Sequence, residues 1–249
     1  MPTEAKKVSQ ERSPRSTGIF RLIGALLLIL SLPARAQWSV GIGQGVGWDR
    51  ISRAPEPMTK SRPLAGYLAE IQVEWVCARH ISLSLGASYN KKNYEVARTG
   101  TLSGEYQQFR NGYLQMPFIA HFFLGERWRF FGGAGMYFGY WTSGRTKGKI
   151  ADIFSVTDSS LTGGQTFESY RLDGFNAAYA FNKIRDRRWE VGWTGDVGVQ
   201  FRSGTKFIPF AKASYYYSLS DQQKAYMTDQ SGRYNRVVTL SLGVMYVLP

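Results

Sequence analysis

From Trp38 onward the chain alternates in kind. Trp38, Val40, Ile42, Gln44, Val46 and Trp48 hold the even positions, and Ser39, Gly41, Gly43, Gly45 and Gly47 the odd ones. A period of two sends successive side chains to opposite faces, which is a strand. A second segment sets Tyr67, Ala69, Ile71, Val73 and Trp75 against Gly66, Leu68, Glu70, Gln72 and Glu74. A third sets Ile81, Leu83, Leu85, Ala87 and Tyr89 against Ser82, Ser84, Gly86 and Ser88. Five more segments follow, with apolar sets from Leu114 to Leu124 and Trp128 to Tyr140 (even), Trp189 to Phe201 and Phe207 to Leu219 (odd), and Val238 to Leu248 (even). None of the eight apolar faces carries a charge.

The other face decides between architectures. A soluble sandwich or lipocalin-type barrel buries its apolar set and shows charges to water. Here the second face holds Gly, Ser, Thr, Gln and isolated charges, which suits the filled lumen of a narrow barrel better than a solvated exterior. With the apolar face turned to lipid, the pattern predicts an all-β, eight-stranded antiparallel up-and-down transmembrane β-barrel. Strands of about 9 to 11 residues are long enough to cross a bilayer when tilted. The connections alternate as such a barrel requires: 76 to 80, 125 to 127 and 202 to 206 are short, whereas 49–62, 90–112, 143–187 and 220–233 are long. Within 143–187, Ile150 to Val156 and Phe175 to Phe181 could pair as a further hairpin, so ten strands is the alternative.

Ahead of the barrel, Lys6, Lys7, Arg12, Arg15 and Arg21 precede an apolar run from Leu22 to Leu32, then Pro33 and Ala34-Arg35-Ala36. This is the layout of a secretory signal peptide over residues 1–36, with cleavage before Gln37 and a barrel domain over 37–249. The apolar run falls short of the roughly 20 residues a spanning helix needs. Export to the outer membrane of a Gram-negative cell is the expected destination.

Four stretches resemble the PorT-like outer-membrane β-barrel family: Trp38 to Gly45 (WSVGIGQG), Tyr113 to Ile119 (YLQMPFI), Phe130 to Tyr140 (FFGGAGMYFGY) and Asn235 to Val244 (NRVVTLSLGV). The resemblance implies an eight-stranded barrel of the OmpA-transmembrane type, and for some relatives an accessory role in secretion. The long 143–187 connection and the ending Tyr246-Val-Leu-Pro249 depart from the family pattern. Ser241, Gly243, Tyr246 and Leu248 still match the last-strand signal that the barrel-assembly machinery reads.

Composition adds chemistry. Aromatics make 15% of the chain, with 27 Gly, and one cysteine (Cys77) and two histidines exclude a disulfide framework and make a His/Cys metal centre unexpected. No cofactor is implied. Glu70, Glu74, Glu190 and Asp196 share the expected lumen with Arg129 and Lys212; unpaired charges there are costly, so an internal salt-bridge network that plugs the barrel is the expectation, with an ion pathway as the alternative. His121 also faces inward, as a hydrogen-bonded lumen histidine or, alternatively, a general base. The glycine run from Gly41 to Gly47 has a strict spacing of two and no following helix, which reads as lumen packing rather than a phosphate loop.

The formal charge is +13, of which the leader accounts for four. The long connections with their flanks hold about +8, the short turns about +3 and the lumen about −2. Lipopolysaccharide phosphates are the natural counter-charge for basic loops facing outward, with simple solvation the alternative and nucleic acid excluded by export. The expected function is a non-enzymatic structural or interaction barrel whose loops contact lipopolysaccharide or a protein partner; a small porin-like transporter is the rival. Mass spectrometry of the membrane-extracted protein should find Gln37 at the N-terminus, free or cyclised, and an intact leader would overturn the export reading.

Overall fold

A computed structural model of the chain describes residues 37–52, 58–100, 103–151, 172–225, 227, 230 and 232–249. The expected signal peptide, residues 1–36, lies outside them. The strands are β1 (Gln37–Ser52), β2 (Thr59–Ala78), β3 (Ile81–Arg98), β4 (Tyr106–Leu124), β5 (Trp128–Ala151), β6 (Leu172–Ala178), β7 (Trp189–Phe201), β8 (Phe207–Ser218) and β9 (Tyr234–Val247). Every pairing between them is antiparallel. Eight strands close a ring, β1-β2-β3-β4-β5-β7-β8-β9 and back to β1, and β6 stands outside it on the upper part of β5. Closure satisfies the ladder at every edge, the condition for a sheet that sits in hydrocarbon.

Side chains sort as the alternation requires. Ile42, Val197 and Leu242 point outward and are 65%, 62% and 66% exposed, whereas Ser241 beside Leu242 is 3% exposed in the lumen. Aromatics pair across strands at both ends of the apolar band. Near the short turns Trp38 meets Trp75 at 6.0 Å, Trp128 meets Phe201 at 4.6 Å and Phe207 meets Tyr246 at 5.2 Å. Toward the long connections Tyr67 meets Tyr89 at 5.7 Å and Tyr140 meets Trp189 at 4.8 Å. These are the two girdles of amphipathic rings expected at membrane interfaces. Two of the short turns place glycine at positive φ, Gly125 at 91° and Gly204 at 83°, which an L side chain rarely adopts.

Three of the expected long connections are partly strand. β1 runs to Ser52, β2 begins at Thr59, β3 and β4 close in to Arg98 and Tyr106, and β5 continues to Ala151. The connections 49–62, 90–112 and 143–187 are therefore shorter than expected. Above the membrane both faces of a sheet meet water or one another, so the apolar alternation that identifies a lipid-facing strand lapses while backbone pairing continues. Two bulges sit at this transition, one in β2 between Leu64 and Leu68 and one in β5 where Thr142 falls between Trp141 and Ser143. The extra hairpin is corrected likewise: β6 pairs Leu172 to Ala178 with Ala151 to Arg145, giving a ninth strand outside an eight-stranded ring. Of the proposed partner segment, only Ile150 and Ala151 are among the described residues.

Inside and outside can be tested at adjacent positions of β9. Leu242→Arg should cost about 2 to 4 kcal/mol because it places a cation in the lipid-facing band. Ser241→Ala, which removes one hydrogen bond to Glu70, should cost about 1 kcal/mol, and Ile184→Arg, on an exposed turn, should be silent. Denaturant unfolding in lipid gives the order; equal effects of the first two would reverse the assignment of faces.

Candidate functional site

The inward side chains stack in tiers, each contributed by the ring's alternate positions. At the short-turn end Ile208, Phe210, Met245 and Val247 form an apolar cluster. Phe210 lies across a glycine: a Cβ on Gly243 would come within 2.4 Å of its ring and 2.3 Å of the Ile42 carbonyl oxygen. Gly43 is the direct cross-strand partner of Gly243, so the seam between the first and last strands is thinned to admit that ring. On the facing wall Phe123 and Phe131 pack at 5.8 Å, with the Arg129 guanidinium 4.1 Å above the Phe123 ring.

The middle tier carries charge. Lys212 Nζ is 3.0 Å from Glu70 Oε2 and donates to Gln72 Oε1 at 3.0 Å, while the Ser241 hydroxyl donates to Glu70 Oε1 at 3.1 Å. His121 Nε2 lies 3.1 Å from Asp196 Oδ2. Ser82 is the cross-strand partner of His121, yet its hydroxyl donates to Glu74 at 2.5 Å. Ser82, His121 and Asp196 therefore form no nucleophile relay. A cavity beside Glu70, Gln72, Ser88, Lys212 and Tyr216 measures about 10 Å³, room for one water at most.

The upper tier centres on Lys92, which is 0% exposed. Its ammonium pairs with Glu190 and lies 4.3 Å from the Tyr113 ring centroid and 5.4 Å from that of Tyr137. The Tyr137 hydroxyl also donates to Glu190, and Asn235 Nδ2 donates to the second Glu190 oxygen at 2.7 Å. Asp49, fully buried, feels the same ammonium.

A lid closes over this tier. Gln222 Nε2 reaches down to the Tyr113 hydroxyl at 2.6 Å. Asp186 bridges to Gln223, Arg187 N donates to Gln222 O at 2.9 Å, and Lys224 N donates to Arg185 O at 2.8 Å, so the segments before β7 and after β8 are tied together. Trp141 is stacked between Tyr113 (5.9 Å) and Tyr179 (5.0 Å), with Phe181 edge-on at 4.9 Å. Asp186 accepts from the Tyr179 hydroxyl at 2.9 Å and from Asn182 N at 2.8 Å. Burial, followed by that bond to Asp186, pushes the Tyr179 phenol up to about 12.

The expected single network of six charges resolves into separate local contacts. Glu70 and Lys212 are brought together. Glu190 instead takes Lys92, Asp196 takes His121 and Glu74 takes a hydroxyl. Arg129 has no carboxylate within 4 Å among the described residues and rests on a ring. Of the last-strand signal residues, Ser241 and Gly243 face the lumen, while Tyr246 and Leu248 face outward. Lys92 and Asp49 are not among the lumen charges that the sequence predicts because they fall in segments that read as connections, although each continues the inward parity of its strand: Lys92 follows Ser88 and Asn90, and Asp49 follows Gly45 and Gly47.

Lys92→Met leaves the Glu190 carboxylate buried without its cation and should destabilise the barrel by about 3 to 5 kcal/mol; Glu190→Gln added to it should restore much of the loss. Arg129→Ala, which breaks no ion pair, should cost about 2 kcal/mol. Unfolding in lipid measures all three, and an Arg129 effect larger than that of Lys92 would contradict these assignments.

A family model described as outer membrane protein beta-barrel domain matches residues 10–223. Among solved structures, the chain is similar to OprG from Pseudomonas aeruginosa (12% identity, 86% of this chain and 96% of that one, TM-score 0.47). It is also similar to Ail, the attachment invasion locus protein of Yersinia pestis (14%, 85% and 99%, TM-score 0.39), and to Neisserial surface protein A (10%, 83% and 96%, TM-score 0.40). No curated protein matches the chain. The closed ring, its lipid-facing band and the family match lead to one conclusion: the chain belongs to the outer membrane protein beta-barrel domain family and resides in the outer membrane of a Gram-negative cell.

Proposed function

We propose that this protein is a closed, non-conducting and non-enzymatic barrel that works through its extracellular side, contacting lipopolysaccharide and presenting a surface to a protein partner. The observation that carries this reading is the filled lumen. An apolar cluster, the Glu70–Lys212 and His121–Asp196 pairs, the Lys92–Glu190 tier and the Gln222 lid follow one another along the axis. An eight-stranded ring is just wide enough for side chains to fill. A transporter needs a continuous aqueous path, and these tiers oppose one.

The expected cleavage after Ala36 supplies export, and Ser241, Gly243, Tyr246 and Leu248 supply the assembly signal within this reading. An accessory role in secretion, which the PorT-like stretches suggest, is a form of the protein-partner contact. The loop-side rim supports the non-enzymatic part: of the acids in its lid, Asp186 is occupied by Tyr179, Asn182 and Arg185 and Asp221 by the backbone N–H groups of Gln223 and Arg233, and both histidines of the sequence lie elsewhere, His80 at a short turn and His121 in the lumen.

Reconstitution into planar bilayers tests the reading. Purified protein at 1 M salt, a concentration chosen to magnify any current, should give no steady single-channel steps. Reproducible steps of fixed size from the wild type would replace the interaction barrel with a channel.

A further inference from the structure

Charges expected in and beside the long connections stand on strands, and four of them oppose each other in two pairs. Arg110 on β4 is the direct cross-strand partner of Arg145 on β5, and Arg50 on β1 that of Arg236 on β9. All four are exposed on the outward face. Like charges directly opposite in an antiparallel pair destabilise the sheet. Among the described residues, none of the four has a carboxylate within 4 Å. Glu95, on the same outer face as the first pair, is turned to Arg62 at 3.7 Å and to Gln108 at 3.0 Å. Lys147 follows Arg145 on the outward side of β5 and adds a third cation to that pair.

Their height is shared. Arg50 lies two positions beyond Trp48, Arg236 two beyond Val238 and Arg110 four beyond Leu114, each of these last being the outermost lipid-facing residue of its strand. At about 3.4 Å per residue and a tilt near 40°, the four arginines stand roughly 5 to 10 Å above the apolar band. That is the depth of the polar headgroup layer. The two pairs occupy the β4–β5 and β9–β1 seams, on opposite sides of the ring.

We infer that the Arg110–Arg145 and Arg50–Arg236 pairs are two phosphate-binding sites of a collar that grips the phosphorylated glycolipid of the outer leaflet. A guanidinium presents a planar fork matched to phosphate oxygens, and two forks side by side hold one phosphate with the repulsion between them neutralised. The occupant is a membrane-embedded lipid because the sites open sideways at headgroup height, not upward from the loop tips. The inference rests on the proposed contact with lipopolysaccharide and moves that contact from loops to rigid strands.

The test uses the full-length protein extracted in mild detergent and exchanged through mixed micelles containing bisphosphorylated lipid A, or lipid A stripped of both phosphates; bound lipid is counted by mass spectrometry. Wild type should retain the phosphorylated form about tenfold or more over the stripped form, and high salt should erase the difference. Arg110→Gln with Arg145→Gln, and Arg50→Gln with Arg236→Gln, should each lower retention several-fold, and all four together should remove the preference. The corresponding Arg→Lys variants, which keep the charge, should fold as wild type and fall between, because they lose the bidentate fork. Heat-shifted gel mobility reports folding of every variant. If wild type retains phosphorylated lipid A selectively and the fourfold variant does so equally, the lipopolysaccharide contact stands and the collar is overturned. If wild type shows no phosphate preference, both fail. If the fourfold change abolishes binding of a soluble sulfated oligosaccharide but leaves lipid A untouched, the occupant is a polyanion above the membrane and the inference is overturned.

Discussion

Hydrocarbon offers no partner for a peptide N–H or C=O, and from that prohibition the rest of this molecule follows. A sheet with an edge is forbidden, so the last strand must return to the first, and the β9–β1 ladder from Val247 and Ser39 to Tyr234 and Ser52 completes the ring. Eight strands then leave an interior too narrow for bulk water and too wide to stay empty. Filling it calls for rings on some strands and glycine on their neighbours, as Phe210 over Gly43 and Gly243 shows. Within the glycine run of β1, Gly43 is thus a packing device whose reason lies on β8, whereas Gly45 lies against the β9 backbone at Leu240.

The same prohibition explains why the lumen is polar. An apolar interior would make each strand apolar on both faces, and a chain with several such runs would present membrane-spanning signals before it reached its destination. Polar inward residues keep each segment's hydrophobicity low, and the carboxylates Glu70, Glu190 and Asp196 among them each meet a partner close by. Buried ion pairs seldom add net stability over apolar packing, but a missing partner is expensive. Local pairing therefore serves register: Glu190 is satisfied only when β3, β5, β7 and β9 bring Lys92, Tyr137 and Asn235 to one height. A slip of one residue on any of them would turn its contribution out to lipid.

Legibility follows from where the environment is one-sided. Between the girdles one face meets lipid and the other the lumen, and there the parity of Trp38 to Trp48 or Leu114 to Leu124 is readable position by position. Beyond the girdles the contrast ends. Arg50, Lys92, Arg110 and Lys147 lie in stretches that read as connections, although their backbones continue the ladder, because polar residues on both faces leave no period to detect. The bulges at Leu64 to Leu68 and at Thr142 also shift the phase, so extrapolating parity through them fails. Partner choice inside the lumen was hidden for another reason. Parity assigns a face but not a height, and only the stagger between strands determines that Asp196 meets His121 instead of Arg129.

The outer girdle links these two regimes. Lys91 lies 5.6 Å from the Tyr67 ring centroid, Arg188 lies 4.5 Å from that of Tyr140, and Arg236 lies 5.2 Å from that of Tyr217. Rings held at the interface by lipid on one side offer their faces to cations just above them. A long basic side chain on a free loop loses about 2 kcal/mol of rotamer entropy when it is fixed. On a strand, leaning over an anchored ring, part of that loss is already incurred in folding. The girdle therefore does more than set the depth of the barrel: it orders cations just beyond the apolar band, and for Lys91 and Arg236 the rigidity of their own strands keeps them there.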